Sequence, residues 1–191
     1  MQKGSKNMRQ RVRPRWSDKE LREIYSKPHD HNNWHDHLIR VEATKQVAKW
    51  MFDSEIINNS VADLSCGNGE IARYLNADRT FLGDFAPGYE YFGPIERTLD
   101  EIPDVDLFVC SETLEHLDDP DLVLKKIRAK TEKILISTPL DNWDDPNAEH
   151  YWAWGKTDIE AMLRLAGFQP EIYMCIELPH YLYNYQIWGC R

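Results

Sequence analysis

The chain has 191 residues, 42% of them hydrophobic and 29% charged, with a formal net charge of −9 at neutral pH. That length suits one domain with a real core, and neither an apolar run approaching the ~20 residues of a membrane span nor a secretory signal pattern is visible. Four cysteines, Cys66, Cys110, Cys175 and Cys190, show no C-x-x-C pairing, which reads as reduced, buried thiols of a cytoplasmic protein and excludes a disulfide framework or zinc knuckle.

The charge is unevenly placed. Residues 1–16 carry Lys3, Lys6, Arg9, Arg11, Arg13 and Arg15 and no acid, so the remainder holds 17 basic and 32 acidic residues, a net −15. A body that acidic repels nucleic acid unless one face is locally basic. The arm is expected to be a disordered, solvated tail, with contact to phosphates as the alternative.

Ser17 and Glu20 form a capping box, so a short helix is expected there, ended by the segment 28–34. A second helix is expected over 37–52, making residues 17–59 a helical cover. Between them lie two His-Asp-His triplets, His29-Asp30-His31 and His35-Asp36-His37. Imidazole and carboxylate clusters bind divalent ions, but Pro28 and the asparagines Asn32 and Asn33 weigh against that here, and no metal is assigned. The functional alternative is a segment over the substrate, with Trp34 and His35 or His37 approaching it. A polar surface turn competes equally.

From residue 60 onward strands and helices alternate, which implies a parallel sheet. Strands are expected at 60–64, 80–84, 97–99 (a short one), 106–111, 133–138, 168–177 and 182–190, and helices at 70–76, 120–130 and 157–166. Thr157 and Glu160 offer a capping box for the last helix and Gly167 a stop. The short link around Pro179 makes the final two strands an antiparallel hairpin. Between Asp84 and Asp106, Pro87, Gly88, Gly93 and Pro94 leave little room for a regular helix.

The segment VADLSCGNGEIARYL, from Val61 to Leu75, is the most specific part of the sequence. An apolar strand ends in Asp63, turns through Ser65-Cys66-Gly67-Asn68-Gly69 and leaves as a helix near Glu70. Glycines let the backbone turn and a ligand approach, and a helix start offers unpaired N–H groups. Gly67-Asn68-Gly69-Glu70-Ile71-Ala72 formally satisfies the dinucleotide fingerprint. However, a carboxylate at Asp63 would repel a pyrophosphate and suits a cationic amino-acid portion instead.

Asp63 to Gly69 resembles the first motif of class I S-adenosylmethionine-dependent methyltransferases. Asp84-Phe85-Ala86-Pro87 resembles that family's Asp-x-Ser-Pro segment, Glu112-Thr113-Leu114-Glu115-His116-Leu117-Asp118-Asp119-Pro120 its Leu-Glu-His plus Asp-Pro sequence, and Ser137-Thr138-Pro139 its Thr-Pro strand end. Together the matches cover roughly 60–170. The resemblance implies a Rossmann-like seven-stranded, mostly parallel α/β sheet with an antiparallel last strand, helices on both faces and a shortened region between the second and fourth strands. Residues 60–191 would be this core. It further implies S-adenosyl-L-methionine as cofactor, held by Asp63, Ser65, Cys66, Gly67, Asn68 and Gly69 at the methionine part, Asp84 at the ribose, Phe85 at the adenine, and Ser111 and Glu112 along the methionyl side. Asp100 or Leu99 is a candidate to flank adenine, neither ranked above the other.

Acid and base candidates near the strand ends are His116 and His150. For His116 a structural role in the turn beside the cofactor is favoured. His150 is the first choice as catalytic residue and lies in an aromatic loop after Pro139 with Trp143, Tyr151, Trp152 and Trp154. Long loops rich in aromatics mark binding surfaces, so these four are substrate candidates; their competing role is to anchor the loop to the core. The function expected is methyl transfer to an oxygen or nitrogen of a small-molecule acceptor. Alternatives are nucleic-acid or nucleotide methylation using the basic arm, and a non-catalytic cofactor-binding module. The sequence carries neither the Asn/Asp-Pro-Pro-aromatic segment of amino-methylating nucleic-acid enzymes nor a Pro-Cys nucleophile.

Overall fold

The computed structural model describes residues 8–26, 34–53 and 59–191. The first His-Asp-His triplet, His29 to His31, lies outside the described residues.

Seven strands form the central sheet: β2 (Ser60–Asp63), β3 (Arg79–Asp84), β4 (Tyr91–Phe92), β5 (Leu107–Ser111), β6 (Ile134–Leu140), β8 (Pro170–Ile176) and β9 (Asn184–Cys190). Their order is β4-β3-β2-β5-β6-β9-β8. β2 through β6 pair in parallel, whereas β9 runs antiparallel between β6 and β8, from Ile134↔Cys190 to Leu140↔Asn184 on the β6 side. This is the seven-stranded α/β architecture expected from the sequence.

The apolar strands are buried on both faces, and their residues alternate between two cores. Ala62, Leu64, Phe108, Cys110, Ile134, Ile136 and Trp188 pack on one side with α4 (Ile95–Thr98), α5 (Pro120–Arg128) and α6 (Lys156–Ala166). Val61, Leu107, Val109, Leu135 and Ile187 pack on the other with α2 (His35–Asp53) and α3 (Glu70–Tyr74). That period of two in strands buried on both faces is what a parallel sheet covered by helices demands. The chain leaves β2 toward β3 and β4 on one side, while β5 and β6 lie on the other. The carboxyl ends of β2 and β5 therefore flank the crevice where open α/β sheets bind ligands.

Several local expectations change. Residues 97–99 are not a strand: Pro94 starts a helical turn, α4, with Ile95, Thr98 and Leu99 buried at helical spacing. The short strand is β4, between Gly88 and Gly93. The last helix begins at Lys156, not Thr157, because Asp158 accepts the Gly155 N–H at 2.9 Å. Cys175 is exposed on edge strand β8, whereas Cys110 and Cys190 are buried; all four cysteines are free.

Residues 8–16, expected as a free tail, run along the surface. β1 (Gln10–Arg11) pairs antiparallel with β7 (Trp152–Ala153), and α1 (Asp18–Ile24) follows, with the Ser17–Glu20 capping box formed. Backbone pairing and arginine contacts with a loop some 140 positions away hold the segment, which local sequence does not announce. No helix among the described residues is long and apolar enough to cross a membrane.

Gly83 shows how tightly the β3–β4 edge is built. A Cβ there would lie 2.5 Å from the Tyr91 carbonyl oxygen and 2.9 Å from its Cβ, and backbone cannot swing aside. Gly83→Ala is expected to lower stability by about 1–3 kcal/mol, read as an earlier urea midpoint. An unchanged midpoint would contradict this packing.

Candidate active site

The crevice above β2 and β5 opens into a cavity of about 490 Å³, within the range of small-ligand sites. Much of its wall comes from strand ends and the turns after them. From β2 come Asp63 and the turn Ser65 to Asn68; from β3, Asp84 and Phe85; from β5, Ser111, Glu112 and Thr113, then His116. α2 contributes Arg40 and Val41, the aromatic loop His150, and the N-terminal segment Leu21 and Tyr25.

The glycine turn is held from within. Gly67 has φ +54°, and a side chain there would project into open space. Its N–H donates to Asp84 Oδ2 at 2.7 Å, while Asp84 Oδ1 accepts the Ala86 N–H at 2.8 Å. Asp84 thus ties the turn to the end of β3 and retains acceptor capacity for a diol. The first N–H of α3 is not open to a ligand, because Asn68 Oδ1 accepts the Glu70 N–H at 3.0 Å. The Phe85 and Tyr25 rings pack tilted by 57°, centroids 5.5 Å apart, and Ile95 of α4 lines the same cavity.

Two buried ionisable side chains set the electrostatics. Asp63 is 3% exposed, and burial pushes its carboxyl up to about 8, reinforced by Asp84 and opposed by the Ser65 N–H and Arg40. Arg40 is 2% exposed; it donates to Ser111 Oγ at 2.6 Å and Ser137 Oγ at 3.1 Å. Its Nε makes no hydrogen bond and lies 3.8 Å from Glu112 Oε1. Asp63 and Arg40 form no salt bridge with each other. A zwitterionic amino-acid portion would complete both, its ammonium at Asp63 and its carboxylate at Arg40, so these residues fit the methionine end of S-adenosylmethionine. Sequence reading did not single out Arg40; the available signal was a guanidinium within the apolar run Leu38-Ile39-Arg40-Val41 of a helix.

Glu112 stands in the left-handed region, φ +50°, a strained conformation for a glutamate, of the kind that clusters at functional sites. Its N–H donates to the Ser137 carbonyl at 2.8 Å and its Oε1 accepts the Ser137 hydroxyl at 2.9 Å. Burial raises its carboxyl above the usual range, partly offset by Arg40.

The remaining candidates divide. Trp34 lines the cavity mouth, 55% exposed. His116 and His150 both line the cavity, rings edge to face with centroids 4.6 Å apart. His150 is buried, with Nδ1 2.6 Å from Asp145 Oδ2 and Nε2 3.1 Å from Asn147 Nδ2. Burial alone would lower its pKa, but Asp145 and Glu115 raise it. Both ring nitrogens are committed, which suits a positioned imidazole better than a free base.

Gly69, Leu99, His35, Trp143, Tyr151, Trp152 and Trp154 do not line the cavity. Gly69 shapes the turn at φ +73°, and Leu99 is buried in the core beneath α4. His35 is exposed, 2.7 Å from the Tyr181 hydroxyl. Trp154 lies in the core, its Nε1 donating to Thr138 Oγ1 at 2.9 Å, and Trp152 donates to the Leu117 carbonyl at 2.8 Å beneath the guanidinium groups of Arg9 and Arg11. Tyr151 is buried, its hydroxyl accepting the Trp16 N–H at 3.3 Å. The aromatic loop is thus anchored inward. An indole or phenol with a hydroxyl or carbonyl in reach is more stable buried than at a solvent rim.

A family model described as a methyltransferase domain matches residues 35–171, and the chain belongs to that family. Among solved structures, it is similar to magnesium protoporphyrin IX methyltransferase from Synechocystis PCC 6803 with bound S-adenosylhomocysteine (14% identity, TM-score 0.65, covering 90% of this chain and 92% of that one). It is also similar to 1,6-didemethyltoxoflavin-N1-methyltransferase from Burkholderia thailandensis with bound 1,6-didemethyltoxoflavin and S-adenosylhomocysteine (18% identity, TM-score 0.65, 94% and 92% covered). A third similarity is to the complex of the Haloferax volcanii Trm112 methyltransferase activator with a methyltransferase (14% identity, TM-score 0.62, 84% and 94% covered). At these identities the likeness is one of fold. No curated protein matches the chain.

The Asp63 environment gives a signed pH effect. Its carboxyl titrates near 8 here against an ordinary value of 3.8, and a bound ammonium would draw it back down. Binding S-adenosylhomocysteine is then expected to release up to one proton between about pH 5.5 and 7.5, below the ligand ammonium's own titration, with affinity rising toward neutral pH. Calorimetry in buffers of different ionisation enthalpy reads the proton, and Asp63→Asn should abolish the release. Proton uptake on binding would contradict this electrostatic account.

Proposed function

We propose that the protein transfers a methyl group from S-adenosylmethionine to an oxygen or nitrogen of a small-molecule acceptor. The observation that carries the cofactor half of this reading is the buried carboxyl of Asp63 and the buried guanidinium of Arg40, not paired with each other, beside the glycine turn and Asp84. S-adenosylmethionine supplies an electrophilic methyl on a sulfonium. The protein's task is to hold the acceptor atom roughly 3–3.5 Å from that methyl and to keep water out.

In this reading Asp84 accepts the ribose hydroxyls, Phe85, Tyr25 and Ile95 enclose the adenine, and the Ser65 to Asn68 turn follows the cofactor chain. Ser111 and Glu112 lie along the methionyl side. The acceptor enters past Trp34 toward Glu112, His116 and Tyr183. The N-terminal segment closes the cavity from above. Arg13 donates to the carbonyls of Asn147, His150 (2.6 Å) and Asp145, and Trp16 Nε1 donates to the Ala148 carbonyl at 2.9 Å.

The charges around the cavity support a small acceptor over a nucleic acid. Eight carboxylates line it against two guanidinium groups, those of Arg15 and Arg40, so a polyphosphate backbone would be repelled at the entrance. The described arginines of the basic arm are also engaged within the chain. Arg9 pairs with Asp121, Arg11 with Asp118 and Arg15 with Asp18.

Turnover across a panel of small hydroxyl and amine acceptors tests the proposal. The wild type should convert S-adenosylmethionine to S-adenosylhomocysteine with at least one of them, and Asp84→Ala should weaken cofactor affinity at least 10-fold, about 1.4 kcal/mol. Methylation confined to RNA or DNA, with salt-sensitive binding lost on deleting residues 1–16, would replace the small-molecule reading. Cofactor binding without any turnover would indicate a binding module.

A further inference from the structure

The acceptor end of the cavity holds a donor cluster that methyl transfer from a sulfonium does not itself require. Glu115 and His116 come from the short 3-10 turn Leu114–His116 after β5, and His150 from the loop before β7. One ligand atom from each lies within 4.8 Å of the other two. His116 and His150 line the cavity; Glu115, 1% exposed, is not among its lining residues.

Two independent features suit this cluster to a cation. First, Glu115 Oε2 accepts the Thr138 hydroxyl at 3.1 Å, but Oε1 is buried with no hydrogen-bond partner. An unsatisfied buried oxygen on a carboxylate is costly and uncommon. Second, His150 Nδ1 faces Asp145 Oδ2 at 2.6 Å, and Asp145 is itself held by the Asn147 N–H at 2.7 Å and the Tyr183 hydroxyl at 3.1 Å. A carboxylate behind an imidazole fixes the tautomer with the proton on the carboxylate side and leaves Nε2 as the electron-pair donor, the usual support of a metal-bound histidine. Nε2 now meets the Asn147 amide at 3.1 Å, and the Tyr25 hydroxyl lies 3.4 Å from His116 Nδ1; an ion would have to displace the Asn147 contact.

We propose that Glu115, His116 and His150 form a divalent transition-metal site at the acceptor end of the cavity, suited to Zn²⁺ or an ion of similar preference. Two imidazoles and one carboxylate are an open three-ligand set, which leaves a position for an oxygen ligand; magnesium prefers oxygen donors throughout. Donor atoms around a tetrahedral ion with bonds of ~2.1 Å lie roughly 3.4 Å apart, so the three side chains must close by about 1 Å or a little more. Resting on the methyl-transfer reading, the open position selects an acceptor that presents a hydroxyl oxygen. Metal coordination favours loss of that hydroxyl's proton, to the Glu112 carboxylate on the cavity wall or to solvent, as the oxygen takes the methyl and the C–S bond breaks to leave S-adenosylhomocysteine.

The test is Zn²⁺ and Mg²⁺ titration of chelator-treated, full-length protein, followed by calorimetry and the absorption spectrum of the Co²⁺-loaded form. S-adenosylhomocysteine binding is measured on the same samples. The expected result is one equivalent of Zn²⁺ at micromolar affinity or tighter, weakened at least 100-fold in Glu115→Gln and His116→Gln and unchanged in the double variant His29→Gln/His31→Gln. Mg²⁺ should bind far more weakly. If Glu115→Gln fails to fold, His116→Gln at the cavity wall decides alone. No stoichiometric Zn²⁺ binding, binding retained in both cluster variants, or binding lost in the His29/His31 variant overturns the site. Failure of wild type to bind S-adenosylhomocysteine would instead defeat the methyl-transfer reading, whatever the metal does.

Discussion

Asp63 and Arg40 are buried within one cavity and are not paired with each other. Each pays for its loss of water in a different way. Asp63 holds its proton to a higher pH, and Arg40 leans on the hydroxyls of Ser111 and Ser137. A buried charge needs partners, and Arg40 has Glu112 3.8 Å from its Nε and His37 Nδ1 2.9 Å from its Nη2, whereas Asp63 stays protonated. A ligand ammonium beside Asp63 would let that carboxyl ionise, and a ligand carboxylate would add to the partners of Arg40. The rest of the architecture serves this arrangement. β2 ends on Asp63 and β5 on Ser111, adjacent strands whose connections depart in opposite directions, and α2 lays Arg40 across their ends.

The same economy explains the cover over the site. Aromatic side chains in the loop after β6 turn inward, where Trp154 and Trp152 find a hydroxyl and a carbonyl. Backbone carbonyls of Asp145, Asn147 and His150 remain for the guanidinium of Arg13. The N-terminal segment thereby becomes a strap whose positive charge is spent within the molecule. That strap, rather than the aromatic loop alone, brings Tyr25 against Phe85 and toward His116, 3.4 Å from its Nδ1.

Much of the fold was legible because its signals are local. Asp63, Gly67 and Gly69 punctuate an apolar run; Leu107 to Ser111 and Ile134 to Leu140 are continuous buried strands; and the short link near Pro179 leaves only a hairpin. The crevice wall was legible for the same reason, since Asp63 and Asp84 end their strands and Phe85 and Glu112 follow directly on strand ends. What stayed hidden depends on distant partners. The pairing of Gln10–Arg11 with Trp152–Ala153 spans most of the chain, and the burial of Arg40 follows from helix placement, not from helix sequence. A two-residue strand at Tyr91–Phe92 is too short for any periodicity, and Arg97 to Leu99 reads as extended until Pro94 is recognised as a helix start. Trp143, Tyr151, Trp152 and Trp154 looked like a binding surface because composition cannot tell which way an indole points.

The most direct measurement is a crystal structure of the protein soaked with S-adenosylhomocysteine. The account predicts density in the crevice between β2 and β5, with the amino group at Asp63, the carboxylate at the Arg40 guanidinium, the ribose hydroxyls on Asp84 and the adenine beside Phe85. A ligand whose carboxylate points away from Arg40, or density only outside this crevice, would contradict it.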